Sequence, residues 1–234
     1  MGDFKIKDGI LFRYIGFDDK EVTIPDGVIN IEDHAFINHK NLEKVKIPYG
    51  VTRIGRESFE SCLKLSSVNI PNSVTSIGYG AFNKCIKIEN IIFPISLTSI
   101  GGYAFHHCRN ITGITITNGV TNIGYNAFGY CKSLKNLTIT SGVMRIEQYA
   151  FNQCERLERV TIANGVEIIE NNVFEGCSSL TNIILPVSVK KIGQNAFAKC
   201  PNLKFVTILS PECDFTDAFD KGVNIIYHNK RIIS

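Results

Sequence analysis

One aromatic position recurs through most of the chain at an interval of 23 residues. Phenylalanine occupies it eight times without insertion or deletion, at Phe36, Phe59, Phe82, Phe105, Phe128, Phe151, Phe174 and Phe197. A constant period of this length predicts a solenoid of stacked, equivalent coils, each burying its apolar side chains against its neighbours. We expect eight coils over residues 24–207, preceded by an N-terminal cap at residues 1–23 and followed by a C-terminal cap at residues 208–234.

Each unit encodes two extended segments and one turn. Residues 134–139 alternate apolar and polar side chains and predict a short strand, and residues 143–146 predict a second extended stretch. Ala150, Phe151 and Cys154 have the spacing of a single helical turn. The pattern predicts a mostly β fold with minor α content, in which parallel strands form one face and short helical turns form the opposite side.

The composition of one unit indicates that the units must stack. About seven apolar side chains per unit, at roughly 1.5–3 kcal/mol each when buried, do not offset an ordering cost of roughly 1–2 kcal/mol per residue. A single unit would therefore stay unfolded. Stacked units form a parallel sheet whose free edges lie only at its two ends.

The elements AF-x-x-C, L-x-x-V-x-IP and GV-x-x-IG resemble the BspA-like class of leucine-rich repeat, found in surface proteins of bacteria and of some parasitic protists. The resemblance implies a right-handed solenoid of the leucine-rich-repeat type, used for adhesion or protein–protein contact, with no catalytic residues to carry over. It also implies a cell-surface or secreted location. The first 17 residues do not have the pattern of a signal peptide, so a cytoplasmic location remains the alternative.

Charge and motifs argue against several function classes. The 25 Lys and Arg residues are scattered among 22 Asp and Glu residues, so we expect no nucleic-acid partner. No apolar run reaches the length of a membrane span, and we expect no membrane insertion. The sequence lacks G-x-S-x-G, P-loop and H-E-x-x-H motifs, so we expect neither an enzyme nor a cofactor. We also expect a monomer.

Seven of the eight cysteines occupy one repeat position: Cys62, Cys85, Cys108, Cys131, Cys154, Cys177 and Cys200, with His39 there in the first unit. This regularity favours a ladder of buried thiols, with disulfides between coils or a metal site as alternatives. Cys213 is the candidate for a reactive thiol. In the group His106-His107-Cys108 we expect surface histidines rather than a metal site.

Alternation along each repeat strand sends the residues on either side of one inward position onto the outer face of the sheet. We name this surface the strand face. It predicts a stripe on the order of 35–40 Å long, suited to a protein or glycoprotein ligand. The candidate binding residues are Lys44, Lys46, Ser67, Asn69, Asn90, Ile92, Thr115, Asn136, Thr138, Arg159, Thr161, Asn182, Ile184 and Phe205, and Gly113 and Thr207 complete the two columns. Ile92, Ile184 and Phe205 are the expected apolar anchors.

Other interpretations of the same residues stay open. Asn and Thr also stack well between neighbouring strands, so the chain could be a structural spacer or array module without a ligand. The T-x-T pairs at residues 115–117 and 138–140 allow a remote alternative, an ice-binding solenoid. Rim loops at residues 26–27 and 49–50 could bind in place of the strand face.

Overall fold

Most coils contribute two short parallel strands and one tight turn, so the chain winds as a β-solenoid. The computed structural model describes residues 3–227. In chain order the strands are β1 (Phe4–Lys7), β2 (Ile10–Tyr14), β3 (Glu21–Thr23), β4 (Asn30–Ile31), β5 (Lys44–Lys46), β6 (Arg53–Ile54), β7 (Ser67–Asn69), β8 (Ser76–Ile77), β9 (Ser99–Ile100), β10 (Gly113–Ile116), β11 (Asn122–Ile123), β12 (Asn136–Ile139), β13 (Arg145–Ile146), β14 (Arg159–Ile162), β15 (Ile168–Ile169), β16 (Asn182–Leu185), β17 (Lys191–Ile192), β18 (Phe205–Ile208), β19 (Asp214–Phe215) and β20 (Asn224–Tyr227).

The second extended stretch of each unit forms one continuous sheet. Its eleven strands follow the order β1-β2-β4-β6-β8-β9-β11-β13-β15-β17-β19. β1 and β2 form an antiparallel hairpin, and every later pair is parallel. Its parallel pairing confirms the predicted solenoid of stacked coils, although the continuous ladder was expected from the first strand of each unit.

The sheet that carries the strand face is divided into three. Its strands pair as β3-β5-β7, β10-β12-β14 and β16-β18-β20, and residues 90–92 add one bridge, Asn90 to Gly113. The expectation of free edges only at the two ends is therefore wrong on this side. In the unbroken part of this sheet, Thr140 and Ala163 donate their backbone N–H groups to carbonyls of the preceding coil. Pro94 and Pro186 occupy the same repeat position in the coils that follow the two breaks, and they have no N–H to donate.

The core centres on the recurring phenylalanines, all of them fully buried. Their rings stack along the solenoid at centroid distances of 4.8–5.6 Å. Tyr14 extends the stack at the N-terminal end, 5.1 Å from Phe36, and Phe219 extends it at the C-terminal end, 5.2 Å from Phe197. Residues 208–227 thus continue the solenoid through β19, β20 and the Phe219 ring.

The side opposite the strand face consists of tight turns, which corrects the expectation of short helical turns and minor α content. Residues 3–227 contain no helix, and thus none long and apolar enough to cross a membrane. In the turn around Phe128, Asn126 and Tyr130 adopt left-handed φ values of 53° and 60°. The N–H groups of Asn126, Phe128 and Tyr130 donate to carbonyls of the next coil at 2.8–2.9 Å. These bonds between coils replace the i to i−4 bonds of a helix.

Candidate functional site

The strand face brings the predicted residues together in three groups rather than in one ladder. Lys44, Lys46, Ser67 and Asn69 lie on the first three-stranded sheet; Asn90, Ile92, Thr115, Asn136, Thr138, Arg159 and Thr161 lie on residues 90–92 and the middle sheet; Asn182, Ile184 and Phe205 lie on the last sheet. All are exposed except Thr138, which is half-buried. Gly113 and Thr207, which complete the columns, are also half-buried.

Several of these side chains already have partners within the solenoid. The Asn69 amide accepts from the N–H of Ile47 at 2.9 Å and donates to its carbonyl at 3.0 Å, so Asn69 bridges two coils. Lys44 donates to the Glu21 carboxylate at 2.6 Å, and this hydrogen bond and charge raise the pKa of Lys44. Asn136 and Arg159, in contrast, have no side-chain hydrogen bond within residues 3–227 and stay available to a ligand.

The T-x-T pairs present only half of their hydroxyl groups to solvent. Thr117 donates its hydroxyl to the carbonyl of Pro94 at 3.2 Å, and Thr140 donates to that of Ile116 at 2.7 Å. Both bonds reach back to the preceding coil, so these two hydroxyls hold coils together. The flat array of free threonines that an ice-binding face would use is therefore missing from these two coils.

The second break in the strand face opens a groove between β14 and β16. Its volume is about 810 Å³, and Arg159, Thr161 and Asn182 contribute polar lining while Val160, Ile183, Ile184 and Pro186 contribute apolar lining. β14 pairs only with β12 and β16 only with β18, so the two facing strand edges keep unpaired backbone groups. Val160 is consequently half-buried, whereas its counterparts Leu137 and Ile183 in the adjacent coils are buried.

Three exposed apolar side chains lie on the last sheet, and one of them, Ile184, lines the groove. Ile184, Phe205 and Ile226 are 58%, 50% and 48% exposed, and they lie on the consecutive strands β16, β18 and β20. We call these three residues the apolar trio. Ile226 was missed from the sequence because it lies beyond the last recognised unit. Ile92, the remaining predicted anchor, is more exposed still but lies at the first break, away from the trio.

The cysteine ladder is buried and free. All eight cysteines lie within the described residues and none forms a disulfide. In the ladder each thiol donates to the carbonyl of a phenylalanine in the preceding coil, at 3.1–3.4 Å. Burial raises the pKa of Cys62 and of Cys154 to about 12, and that of the half-buried Cys213 to about 11. His39 fills the equivalent position in the first unit, and neither of its ring nitrogens has a hydrogen-bond partner among the described residues.

The turn side carries an aromatic surface that the sequence interpretation missed. Tyr79, Tyr103, Tyr125 and Tyr149 come from four consecutive coils, with neighbouring ring centroids 5.3, 5.3 and 5.7 Å apart. We call them the tyrosine ladder. They alternate between two adjacent repeat positions, with Gly80 and Gly102 as small neighbours in the first two coils. This alternation of Tyr-Gly and Gly-Tyr is the signal that an alignment of the repeats could have revealed.

The histidine pair extends the tyrosine ladder sideways. His106 lies 5.1 Å from Tyr103 and 4.2 Å from His107, and His107 lies 4.7 Å from Tyr130, measured between ring centroids. Burial, followed by the charges of His107 and Lys84, lowers the pKa of His106 to about 4. Over residues 3–227 no group of three or more His, Cys, Asp or Glu side chains could hold a metal ion.

Comparisons with known proteins agree with this architecture. The family model for the BspA type leucine rich repeat region matches residues 11–134 and 98–218. A leucine rich repeat protein of T. pallidum is 30% identical, with a TM-score of 0.66 over 73% of this chain and 82% of that one. A leucine-rich repeat protein from Bacteroides ovatus is 27% identical, with a TM-score of 0.63 over 94% of this chain and 66% of that one.

A leucine rich cell surface protein from Faecalibacterium prausnitzii shares the fold across nearly the whole length. It is 24% identical, with a TM-score of 0.62 over 99% of this chain and 94% of that one. A comparison with curated proteins finds no match.

Proposed function

The chain belongs to the family of BspA-type leucine-rich repeat proteins, and from that premise we propose that it recognises a protein or glycoprotein through the strand face, at the groove between β14 and β16. Proteins of this repeat type generally serve as interaction or surface modules. The observation that carries the proposal is a groove with two unpaired strand edges that exposed Ile184 lines, with Phe205 and Ile226 exposed on the next two strands of the same sheet.

The groove suits an extended segment of a partner chain. β14 and β16 approach within 8 Å between Cα atoms, so a partner segment would lie over the groove rather than between the strands. The free N–H and C=O groups of the two edges can hydrogen-bond to the backbone of such a segment, which gives affinity that depends little on sequence. Specificity then comes from side-chain contacts beside the backbone. Ile184 and Phe205 would supply the apolar contacts, while Asn136 and Arg159 would supply hydrogen bonds and charge.

The competing function is a spacer or array module without a ligand of its own. Its support is the bonding of Asn69 and Lys44 within the solenoid, because these side chains serve cohesion between coils. That support comes from the first three-stranded sheet. It does not extend to the groove, where Arg159 has no partner within residues 3–227.

The test compares two double variants on the same face. Ile184→Ser/Phe205→Ser removes the apolar side chain that lines the groove and the one on the next strand, and Lys44→Ser/Lys46→Ser changes two exposed residues on the first sheet. Wild type and both variants are measured by biolayer interferometry against a panel of immobilised extracellular-matrix glycoproteins, after circular dichroism has shown equal folding. We expect at least a tenfold loss of affinity for the first variant and a change of less than threefold for the second.

Two results would contradict the proposal. Equal binding by wild type and the groove variant would remove the strand face as the binding surface. Absence of binding across the whole panel would favour the spacer function.

The same premise supports two further proposals, a cell-surface location and a monomeric state. The first is supported by the Faecalibacterium prausnitzii relative, whose description names it a cell surface protein. Protease treatment of intact cells should degrade the protein if it is exposed there, and protection would contradict the location. Light scattering with size-exclusion chromatography should give a mass near 26.0 kDa.

A further inference from the structure

We propose that the tyrosine ladder and the cationic side chains around it bind an acidic polysaccharide, a chain of pyranose rings that carry carboxylate or sulfate groups. This surface lies on the turn side, away from the strand face, so the inference does not rest on the proposed function.

The ring arrangement is the first argument. Tyr79 and Tyr125 occupy one repeat position two coils apart, and both rings are exposed. Gly102 lies between them, where a Cβ atom would already come within 3.5 Å of the Tyr79 ring. Two coils correspond to about 9.6 Å at the spacing of neighbouring strands, a distance comparable to the length of a disaccharide. The ladder therefore offers aromatic surface at intervals that successive disaccharide units of one chain could use.

The chemistry of tyrosine suits a sugar. The C–H face of a pyranose ring packs on an aromatic ring, and the phenol group supplies a hydroxyl that can donate to or accept from the sugar hydroxyls. Tyrosine also provides a large contact area with few rotatable bonds, so little entropy is lost on binding.

Charge complementarity selects an acidic sugar over a neutral one. The Arg56 guanidinium lies 5.0 Å from the centre of the Tyr79 ring, and Lys84 lies on the histidine side of the ladder. These cations pair with Glu57 and Glu60, but the carboxylate side chains are only 19% and 18% exposed, against 56% for Arg56 and 52% for Lys84. The surface therefore presents positive charge outward over partly buried acids.

A further cation strengthens this charge. Arg109 is exposed, makes no ion pair within residues 3–227, and lies close enough to His107 for its charge to help lower the pKa of that histidine. A guanidinium without a partner is available for bidentate contact with a carboxylate or a sulfate group.

Single-stranded nucleic acid is the competing ligand class, since it also combines stacking with negative charge. The tyrosine rings are tilted by 50–69° to one another at 5.3–5.7 Å, which leaves no gap for a base to stack between them. The interleaved Glu57 and Glu60 also interrupt the continuous cationic track that one phosphate per nucleotide requires. Both observations favour the polysaccharide.

The experiment measures binding of the full chain by isothermal titration calorimetry. The acidic probes are oligogalacturonate, which carries carboxylates, and heparin oligosaccharide, which carries sulfates. The comparison probes are a neutral cello-oligosaccharide and oligo(dT). The test variants are Tyr79→Ser/Tyr125→Ser and, because it leaves the ring packing intact, Arg109→Ser. Tyr49→Ser, at an exposed tyrosine on a rim loop, is the matched control.

We expect wild type to bind at least one acidic oligosaccharide, with an affinity that decreases as salt is added. The affinity should fall at least tenfold in the double tyrosine variant and several-fold in Arg109→Ser, and it should be unchanged in Tyr49→Ser. Ile184→Ser/Phe205→Ser should bind the sugar as wild type does, which separates this inference from the strand-face proposal. The inference is overturned if no acidic oligosaccharide binds, if the neutral sugar binds equally well, if the tyrosine variant retains wild-type affinity, or if oligo(dT) binds more tightly through the same residues.

Discussion

Replacing Phe128 by alanine should cost about 4–6 kcal/mol of the free energy of unfolding. Phe128 is fully buried, and its ring stacks on Phe105 and on Phe151 at 5.3 Å with interplanar angles of 2°. Truncating a core phenylalanine costs roughly 3–5 kcal/mol, and each aromatic pair contributes about 0.5–1.5 kcal/mol beyond area burial. The two lost stacked pairs place this variant in the upper half of the truncation range or just above it.

The location of the loss matters as much as its size. Each coil contacts only its neighbours, so a defect at Phe128 weakens the coupling between the two halves of the solenoid. Guanidinium unfolding followed by far-ultraviolet circular dichroism should therefore show a lower midpoint and a broader or divided transition. Phe205→Ala, at a half-exposed phenylalanine, is the control and should cost less than about 1 kcal/mol. A loss below about 2 kcal/mol for Phe128→Ala, or a loss equal to the control, would refute the stacking argument.

Three further predictions concern single side chains. Maleimide treatment of the native protein at pH 8 should label Cys213 alone, because the seven ladder thiols are buried and Cys213 is only half-buried. The raised pKa of Cys213, about 11, should make this labelling slow. Intact mass would show one adduct, and several adducts on the native protein would contradict the ladder. The pKa of His106 is lowered from 6.5 to about 4 in the folded state, so the unfolded chain takes up this proton first. The stability that the neutral His106 contributes is therefore complete above pH 6.5, and the free energy of unfolding decreases as the pH falls towards 4. Allowing for partial exposure, this decrease amounts to about 1–2 kcal/mol, and His106→Gln should remove it. If the free energy of unfolding of the variant depends on pH as that of wild type does, His106 is not its source. Asn69→Ala should cost about 1–2 kcal/mol because both bonds to Ile47 are lost, whereas Asn136→Ala should change stability by less than about 0.5 kcal/mol; equal values in denaturant titrations would show that Asn69 is no bridge.

The repeat made the stack and its inward columns predictable, because a fixed period identifies equivalent positions wherever the local conformation is the same. It did not predict the conformation of the turns. Ala150, Phe151 and Cys154 have helical spacing, yet Tyr149 and Gln153 adopt left-handed φ values of 60° and 56°. Hydrogen bonds to the neighbouring coil stabilise these conformations. Apolar spacing within a single unit carries no information about such bonds.

The breaks in the strand face show a second limit. Pro94 and Pro186 are visible in the sequence, but Pro48 and Pro71 occupy the same repeat position, and their strands β5 and β7 remain paired. Both of those strands end one residue earlier than β10 or β16. A proline at this repeat position therefore does not by itself interrupt the ladder, and periodicity does not specify which coils separate. The groove could be located only from the backbone pairing.

The sequence contains enough information to predict the tyrosine ladder, because two of its repeat positions vary together. The strand face has no such pair of positions. On the strand face, a single exposed column of Asn and Thr is explained equally well by hydrogen bonding between coils and by binding of a ligand. The ladder involves two neighbouring columns that change together: Tyr79 precedes Gly80 where Gly102 precedes Tyr103, and Gly102 leaves the position beside the Tyr79 ring without a side chain. Packing of the phenylalanine core does not require this correlation, because those rings are buried in every coil alike. Correlated departures from a strict repeat therefore point more specifically to a binding surface than does any one exposed column, and on this solenoid they point to the turn side.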